Sequence, residues 1–330
     1  MYMNINSSKI IKYIKDKKHV SANELVDYLG ISRQALFKHH LSRLINNRVL
    51  IKSGRPPRVY YSIAPLEELG VLVESHTIDN AIKDLIKQNF LIITPAGERM
   101  EGLTGFMYWC QKNNLPFKKT AEEYLKTLKK YERYKKDGII DSKEKLNITF
   151  KNVFLDKLFY IDFYNIERFG KTKLGQLLLY AKQSQNKKLM HEIIEIVKPS
   201  IGKIIKQFKI DGVGFIPPTV KRETQLMKVL EKGLKLNLRK LDIIKIKTTV
   251  SVPQKTLNKL ADRIENAKST IIVSDSHSFN NILLIDDATG SGATLNETAK
   301  KIRDKKICKG KIISLTITGS FNGFDVISEV

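Results

Sequence analysis

Cysteine is nearly absent: 330 residues hold only Cys110 and Cys308, with neither a CxxC pair nor a Cys/His cluster. That argues against a disulfide framework or a zinc site, and places both thiols in a core. Long hydrophobic runs are missing too. No stretch approaches the roughly 20 apolar residues that span a bilayer, and the opening MYMNINSSKI lacks a secretory apolar segment. The expectation is a cytoplasmic protein with no membrane partner. Acid is scarce, since 34 Asp and Glu face 58 Lys and Arg for a net charge of +24. Such an excess points to a polyanion such as nucleic acid, a phosphorylated ligand or an acidic surface, although scattered lysines are often only solvated. Where the charge sits decides between these.

The length suggests two or three domains. At the start, Ile10, Ile11 and Ile14 form an apolar stripe at helical spacing. A second helix opens at Ser21 with a capping box to Glu24, carries Leu25, Val26 and Leu29, and ends at Gly30. Ser32 is the expected N-cap of a third helix that buries Leu36, Leu41, Leu44 and Ile45. Two strands, 49–51 and 59–63, then flank the cationic Gly/Pro turn 52–58. Residues 1–64 contain only three acids, Asp16, Glu24 and Asp27.

This order, with GISRQALFKHHLSRL followed by GRPPRVYYSI, resembles a winged helix-turn-helix of bacterial transcription regulators. The resemblance implies that the third helix enters the major groove of double-stranded DNA while the wing touches phosphates. It names Arg33, Gln34, Lys38 and Arg43 on the helix, and Arg55 and Arg58 in the wing, as DNA-binding residues. Arginine suits those positions because its fork donates two parallel hydrogen bonds to guanine or phosphate. The bland alternative is a winged helix used for protein contacts. Phe37, His39 and His40 read as core or contact residues, at least one of them core.

Residues 66–146 read as a mixed, mostly helical linker or dimerisation region, with a homodimer among the candidate assemblies. A helix is predicted over 79–89, a strand over 90–93, a helix over 106–112, and another capped by Thr120 with Glu123 that runs through LKTLKKYERYKK. Tyr108 and Trp109 are assigned to packing. From about Asn147, strands alternate with helices: an aromatic β-prone run 150–164, helices 172–183 and 189–208, strand 212–216, helix 224–234, strands 243–249 and 281–285, helix 295–304 and strand 311–318. The fold class is α/β with a largely parallel sheet. Domains are expected at 1–65, 66–146 and 147–330.

The chemically informative segment is NILLIDDATGSGATLNETAKKI. A buried-strand signal, 282–285, ends in Asp286 and Asp287, where open α/β sheets bind ligands. The loop Thr289-Gly290-Ser291-Gly292-Ala293-Thr294 then opens a helix, so its backbone N–H groups, its hydroxyls and the helix N-terminus all favour phosphate. Ala293 occupies the place where a P-loop needs Lys, and acids stand where a dinucleotide-binding turn needs glycines. Two acids to grip sugar hydroxyls beside a phosphate cradle describe a ribose 5-phosphate site.

The segment Ile282–Thr294 resembles the signature for 5-phosphoribosyl-1-pyrophosphate (PRPP) of type I phosphoribosyltransferases, and residues 150–318 resemble the ComF-like members of that fold. Phe215-Ile216-Pro217-Pro218-Thr219-Val220-Lys221-Arg222 is similar to their pyrophosphate loop, and Ser251, Gln254, Leu257, Arg263 and Asn266 follow their flexible-loop pattern with Ser where Thr is usual. The stretch 221–225 matches the family's Arg-rich segment only loosely. The resemblance implies pentosyl transfer from PRPP, with Mg²⁺ carried by PRPP rather than by a dedicated cluster. Asp286 and Asp287 would take the ribose hydroxyls, Asp286–Thr294 (including Ala288) would line the PRPP site, and Lys221 and Arg222 would join the two acids as catalytic residues. Gly290 stands where 6-oxopurine salvage enzymes place a base-binding Asp, so hypoxanthine or guanine salvage is not expected. Phe321 and Phe324 are read as closing the core rather than stacking on a base. Three functions stay open: a phosphoribosyltransferase with a DNA-binding unit, a non-catalytic PRPP-sensing regulator, and a DNA-uptake or DNA-processing accessory. The ligand is PRPP or a ribose 5-phosphate nucleotide.

Overall fold

A computed structural model describes residues 5–46, 49–63, 78–220, 222–246 and 252–321. The chain divides into two compact units, Met1–Thr77 and Ile78–Val330.

In the first unit, α1 (Ile5–Lys17) leads through β1 (Val20–Ser21) into α2 (Ala22–Leu29). The capping box forms as the sequence predicts: the Ser21 hydroxyl accepts from the Glu24 amide at 3.3 Å, and Glu24 accepts from the Ser21 amide at 2.8 Å. Gly30 stops α2 in the left-handed region at φ 64°, a conformation that costs glycine little. Ser32 then caps α3, which starts as Arg33–Leu36, passes through a π-helical stretch Phe37–Leu41 and ends as Ser42–Asn46. The hairpin β2 (Leu50–Arg55) and β3 (Arg58–Ile63) completes an antiparallel sheet in the order β1-β3-β2. Ile10, Ile14, Leu25, Leu36, Leu41, Leu50 and Tyr61 form its core. His40 is also buried and hydrogen-bonds Ser7 at 3.1 Å, whereas His39 is exposed.

The second unit opens with α4 (Asn80–Asn89), the hairpin β4 (Leu91–Ile93) and β5 (Arg99–Glu101), α5 (Gly102–Lys112) and α6 (Phe117–Glu132). α6 begins three residues before Thr120. The Thr120 hydroxyl bonds back to the Pro116 carbonyl at 2.6 Å, so the Thr-x-x-Glu pattern lies inside a helix that Pro116 introduces. The predicted continuation through Lys136 breaks off as well, because Lys135–Lys136 forms strand β6, paired with β7 (Ile139–Asp141). A short helix, α7 (Lys143–Thr149), follows, and the aromatic run 150–164 supplies only one strand, β8 (Lys157–Phe163). Phe90, Phe106, Phe117 and Tyr124 pack edge to face or tilted in one aromatic cluster with Trp109, which also meets Phe169 at 5.5 Å. Residues 78–146 therefore share packing with the sheet-bearing part of the same unit.

The remaining elements are α8 (Lys173–Gln183), α9 (Lys187–Gln207), β9 (Gly212–Phe215), α10 (Leu226–Leu234), β10 (Arg239–Lys240), β11 (Ile243–Lys245), α11 (Leu260–Thr270), β12 (Ile271–Val273), β13 (Ile282–Thr289), α12 (Ala293–Asp304) and β14 (Ile312–Gly319). The main sheet has seven strands in the order β10-β9-β13-β14-β8-β7-β6. The first five run parallel and the last two pairings are antiparallel. One face carries Phe159, Ile161, Leu283, Ile285, Ile313 and Leu315 into a core with Leu177, Ile193 and Leu230 from α8, α9 and α10. Each of these fully buried aliphatic or aromatic side chains contributes about 1.5–3 kcal/mol. β13 is buried on both faces over Ile282 to Ile285, which is why the sequence shows a continuous apolar run there. Both cysteines are buried, and neither forms a disulfide. No helix among the described residues is long and apolar enough to cross a membrane.

Candidate functional site

The strand order fixes where a ligand can sit. From β9 the chain moves outward to β10, and from β13 it moves the other way to β14. Such a reversal between neighbouring parallel strands leaves a crevice at their carboxyl ends. Here β9 pairs β13 only from Ile282 to Ile285, and the last tie is the Ile216 amide to the Ile285 carbonyl at 2.9 Å. β13 runs on for four residues, Asp286 to Thr289, still paired with β14. Both acids thus project from a strand whose neighbour has turned away.

A cavity of about 190 Å³ fills that crevice. Its walls include Asp286, Asp287, Ala288, Gly290 and Thr294 from β13 and the loop behind it, and Ile216 to Val220 with Arg222 from the loop after β9. Lys182, Lys245, Gln254 and Arg263 add to the polar lining, with Thr224 and Gln225. Four described cations therefore face two acids. Lys221 lies outside the described residues, as do Ser251, Phe324 and positions 247–249 of the expected strand.

The two adjacent carboxylates differ. Asp287 pairs with Lys182 of α8 at 2.7 Å, with both side chains largely buried. Asp286 accepts from the Asp287 amide at 2.8 Å. Burial, then the neighbouring Asp287 charge, drives the Asp286 carboxyl well above the usual carboxylate range, while Lys182 and Lys245 oppose the rise. Lys245 donates to the Thr219 hydroxyl at 2.5 Å, and burial lowers its own pKa.

Of the loop residues, Gly290 and Thr294 reach the cavity, whereas Thr289, Ser291 and Ala293 are buried. The Ser291 hydroxyl accepts from the Ala293 amide at 3.3 Å, so it serves the turn itself. Gly292 adopts φ 84°, and a Cβ there would come within 2.9 Å of Leu146 of α7; glycine is demanded both by the backbone and by that neighbour. α12 begins directly after it, and Thr294 in its first turn lines the cavity.

The other expected segments are also placed. Gln254 donates to the Arg263 carbonyl at 2.9 Å and to Asn266 at 3.2 Å, and Arg263 donates to the Leu257 carbonyl at 2.8 Å. That pattern ties the segment after position 251 to α11 while leaving Gln254 and Arg263 on the cavity wall. Phe321 packs with Tyr131, Tyr134 and Phe163 at ring distances of 5.0, 5.3 and 5.5 Å, away from any residue of the cavity wall.

Lys182 and Lys245 were not singled out by sequence reasoning. Lys245 carried a faint signal: in Ile243-Ile244-Lys245-Ile246 the lysine faces inward while Ile244 and Ile246 are exposed, an inversion of the usual alternation. Lys182 carried none, since only the tertiary crossing of α8 brings it to β13. In the first unit Arg33, Gln34, Lys38, Arg43, Arg55 and Arg58 are all exposed. Arg55 and Arg58 are direct partners across the hairpin end, and Arg33 lies 6.0 Å over the Phe37 ring. Among the described residues no group of three or more His, Cys, Asp or Glu is arranged to hold a metal.

No known family and no curated protein matches the sequence. Among solved structures, a hypoxanthine phosphoribosyltransferase from Staphylococcus aureus aligns at 15% identity with a TM-score of 0.25, covering 41% of this chain and 67% of that one. An overlap that loose does not identify a fold.

Proposed function

We propose that the larger unit binds PRPP as its magnesium complex, in the manner of ComF-like type I phosphoribosyltransferases, and that the N-terminal unit is a winged helix-turn-helix that binds duplex DNA. One observation carries the ligand: two adjacent carboxylates overhang a topological switch point, directly before a tight loop and a helix N-terminus, within a ring of cations. Asp286 and Asp287 accept hydrogen bonds from the ribose 2- and 3-hydroxyls. The segment Ala288–Thr294 offers backbone N–H groups and the Thr294 hydroxyl to the 5-phosphate. Lys221 and Arg222, joined by Lys245, hold the pyrophosphate.

Magnesium fits this donor set. The ion keeps several waters and binds through substrate phosphates with one or two carboxylates rather than an all-protein cage. Bound with the pyrophosphate, it would offset charge that builds as the C1–oxygen bond breaks. The chain's own cations do the same from fixed positions, at no reorganisation cost during the reaction.

A second reading, a PRPP-responsive regulator without turnover, is favoured by the exposed Arg33, Gln34, Lys38 and Arg43 face in a chain that also carries the cleft. Calorimetry with Mg²⁺ and PRPP tests the ligand. Hydrogen bonds to charged groups contribute about 1.5–3 kcal/mol each, so the double variant Asp286→Asn/Asp287→Asn should bind at least about tenfold more weakly. Equal affinity would remove the assignment. Release of pyrophosphate on adding a panel of nucleobases would separate enzyme from sensor.

A further inference from the structure

The acid that should grip a sugar hydroxyl already has a partner. Lys182 stands in α8, outside both the acidic segment and the loop after β9, and its ammonium lies 2.7 Å from Asp287. The lysine and aspartate side chains are only 12% and 18% exposed, so water can replace little of what either would lose on separation. We propose that Lys182 is a specificity-determining residue, one that makes binding of a ribose diol conditional on an anionic group carried by the same ligand. This rests on the ribose 5-phosphate reading of the cleft.

The argument is one of compensation. A hydroxyl that takes over the Asp287 oxygen brings no charge of its own, and it leaves a shielded ammonium without its counter-ion. An uncharged riboside can do nothing about that. A ligand with phosphate or pyrophosphate nearby supplies a new anion, and Lys182 exchanges one partner for another at little net cost. The other charged groups facing the pair are arranged consistently. Lys245 from β11 is engaged with Thr219, and Arg222 and Arg263 line the same wall from the β9 loop and from α11. Lys182 is the cation that ion-pairs with Asp287, at 2.7 Å, so the counter-ion role falls to it.

The experiment uses the full chain with Lys182→Met and Lys182→Arg, with thermal unfolding run on each to verify folding. Affinities for Mg²⁺-PRPP and for adenosine, an uncharged riboside, are measured by calorimetry or competition. Wild type should favour PRPP strongly. Lys182→Met should narrow the PRPP-to-adenosine ratio at least about tenfold, by weakening PRPP and leaving adenosine unchanged or tighter, and Lys182→Arg should restore it. A carboxyl-carbon NMR titration of the free protein gives a readout that needs no ligand: the Asp286 transition should move upward in Lys182→Met and return in Lys182→Arg. If wild type binds PRPP and Lys182→Met keeps the same ratio, or if the Asp286 transition does not move, the role is overturned. If wild type binds neither, the ribose 5-phosphate reading falls first and the specificity role falls with it.

Discussion

Replacing Asp286 by Asn should make the protein more stable while damaging its site. Burial and Asp287 push the Asp286 carboxyl up to about 8, from an ordinary value near 4. A folded-state pKa above the unfolded one means that the folded chain binds more protons between those values, so stability falls as pH rises across that window. At about 1.4 kcal/mol per pH unit, the whole rise would amount to roughly 6 kcal/mol. Water in an open cleft and two nearby lysines reduce this, and about 1–3 kcal/mol is a realistic figure at pH 8. Asn keeps the acceptor for the Asp287 amide and carries no charge. For a unit of this size, about 2–4 °C accompanies each kcal/mol, so the variant should melt about 2–12 °C higher at pH 8. Near pH 4 the difference should vanish, because wild type is then protonated as well. Thermal unfolding of both proteins between pH 4 and 8.5 reads it directly. A lower melting temperature for the variant at pH 8, or a difference that does not shrink with acid, would refute the account of Asp286.

Three further outcomes follow from the same geometry. With Arg55→Ala and Arg58→Ala together, the logarithmic slope of duplex affinity against salt should flatten by up to about 2, since each phosphate contact adds roughly 0.9; an unchanged slope in a gel-shift series would mean that the wing does not touch DNA. Gly292→Ala should destabilise the larger unit by about 1–3 kcal/mol in denaturant titrations, because a side chain at φ 84° is strained and meets Leu146; a neutral result would mean that the loop relaxes freely. If the protein is a regulator, PRPP and DNA must alter each other's affinity by the same factor, typically about 5–150-fold, whereas a ratio near one together with pyrophosphate release selects the enzyme.

The first unit was legible because its signals are local. Ser21 with Glu24, Gly30 and Ser32 each act within four residues, and each sits where its chemistry requires. The strand-helix alternation of the second unit was legible for the same reason, through hydrophobic periodicity. Where Thr120 with Glu123 imitates a helix start, the preceding Pro116 sets the real one, and a four-residue pattern does not reveal which helix turn it occupies. The aromatic run 150–164 read as β-prone throughout, but Asn152 to Asp156 instead make backbone and side-chain bonds to Asn296, Arg303 and Ile312, contacts that no local pattern announces. The acids and the glycine loop were visible in one segment. Lys182 was not, since its role exists only once α8 has crossed the end of β13.

The antiparallel pair β6-β7 adds two strands beside β8, and this affects how the chain can be divided. β8 contains Leu158, Phe159, Tyr160 and Ile161, a dense apolar sequence whose free edge β7 covers through Ile140 and Asp141. A fragment cut at residue 147 would lose that cover together with Leu146, the neighbour of Gly292. It would present an unpaired hydrophobic edge strand, the template for sheet-to-sheet aggregation. A fragment beginning at Ile78 keeps the edge sealed, and is the one to express when the ligand-binding half is studied alone.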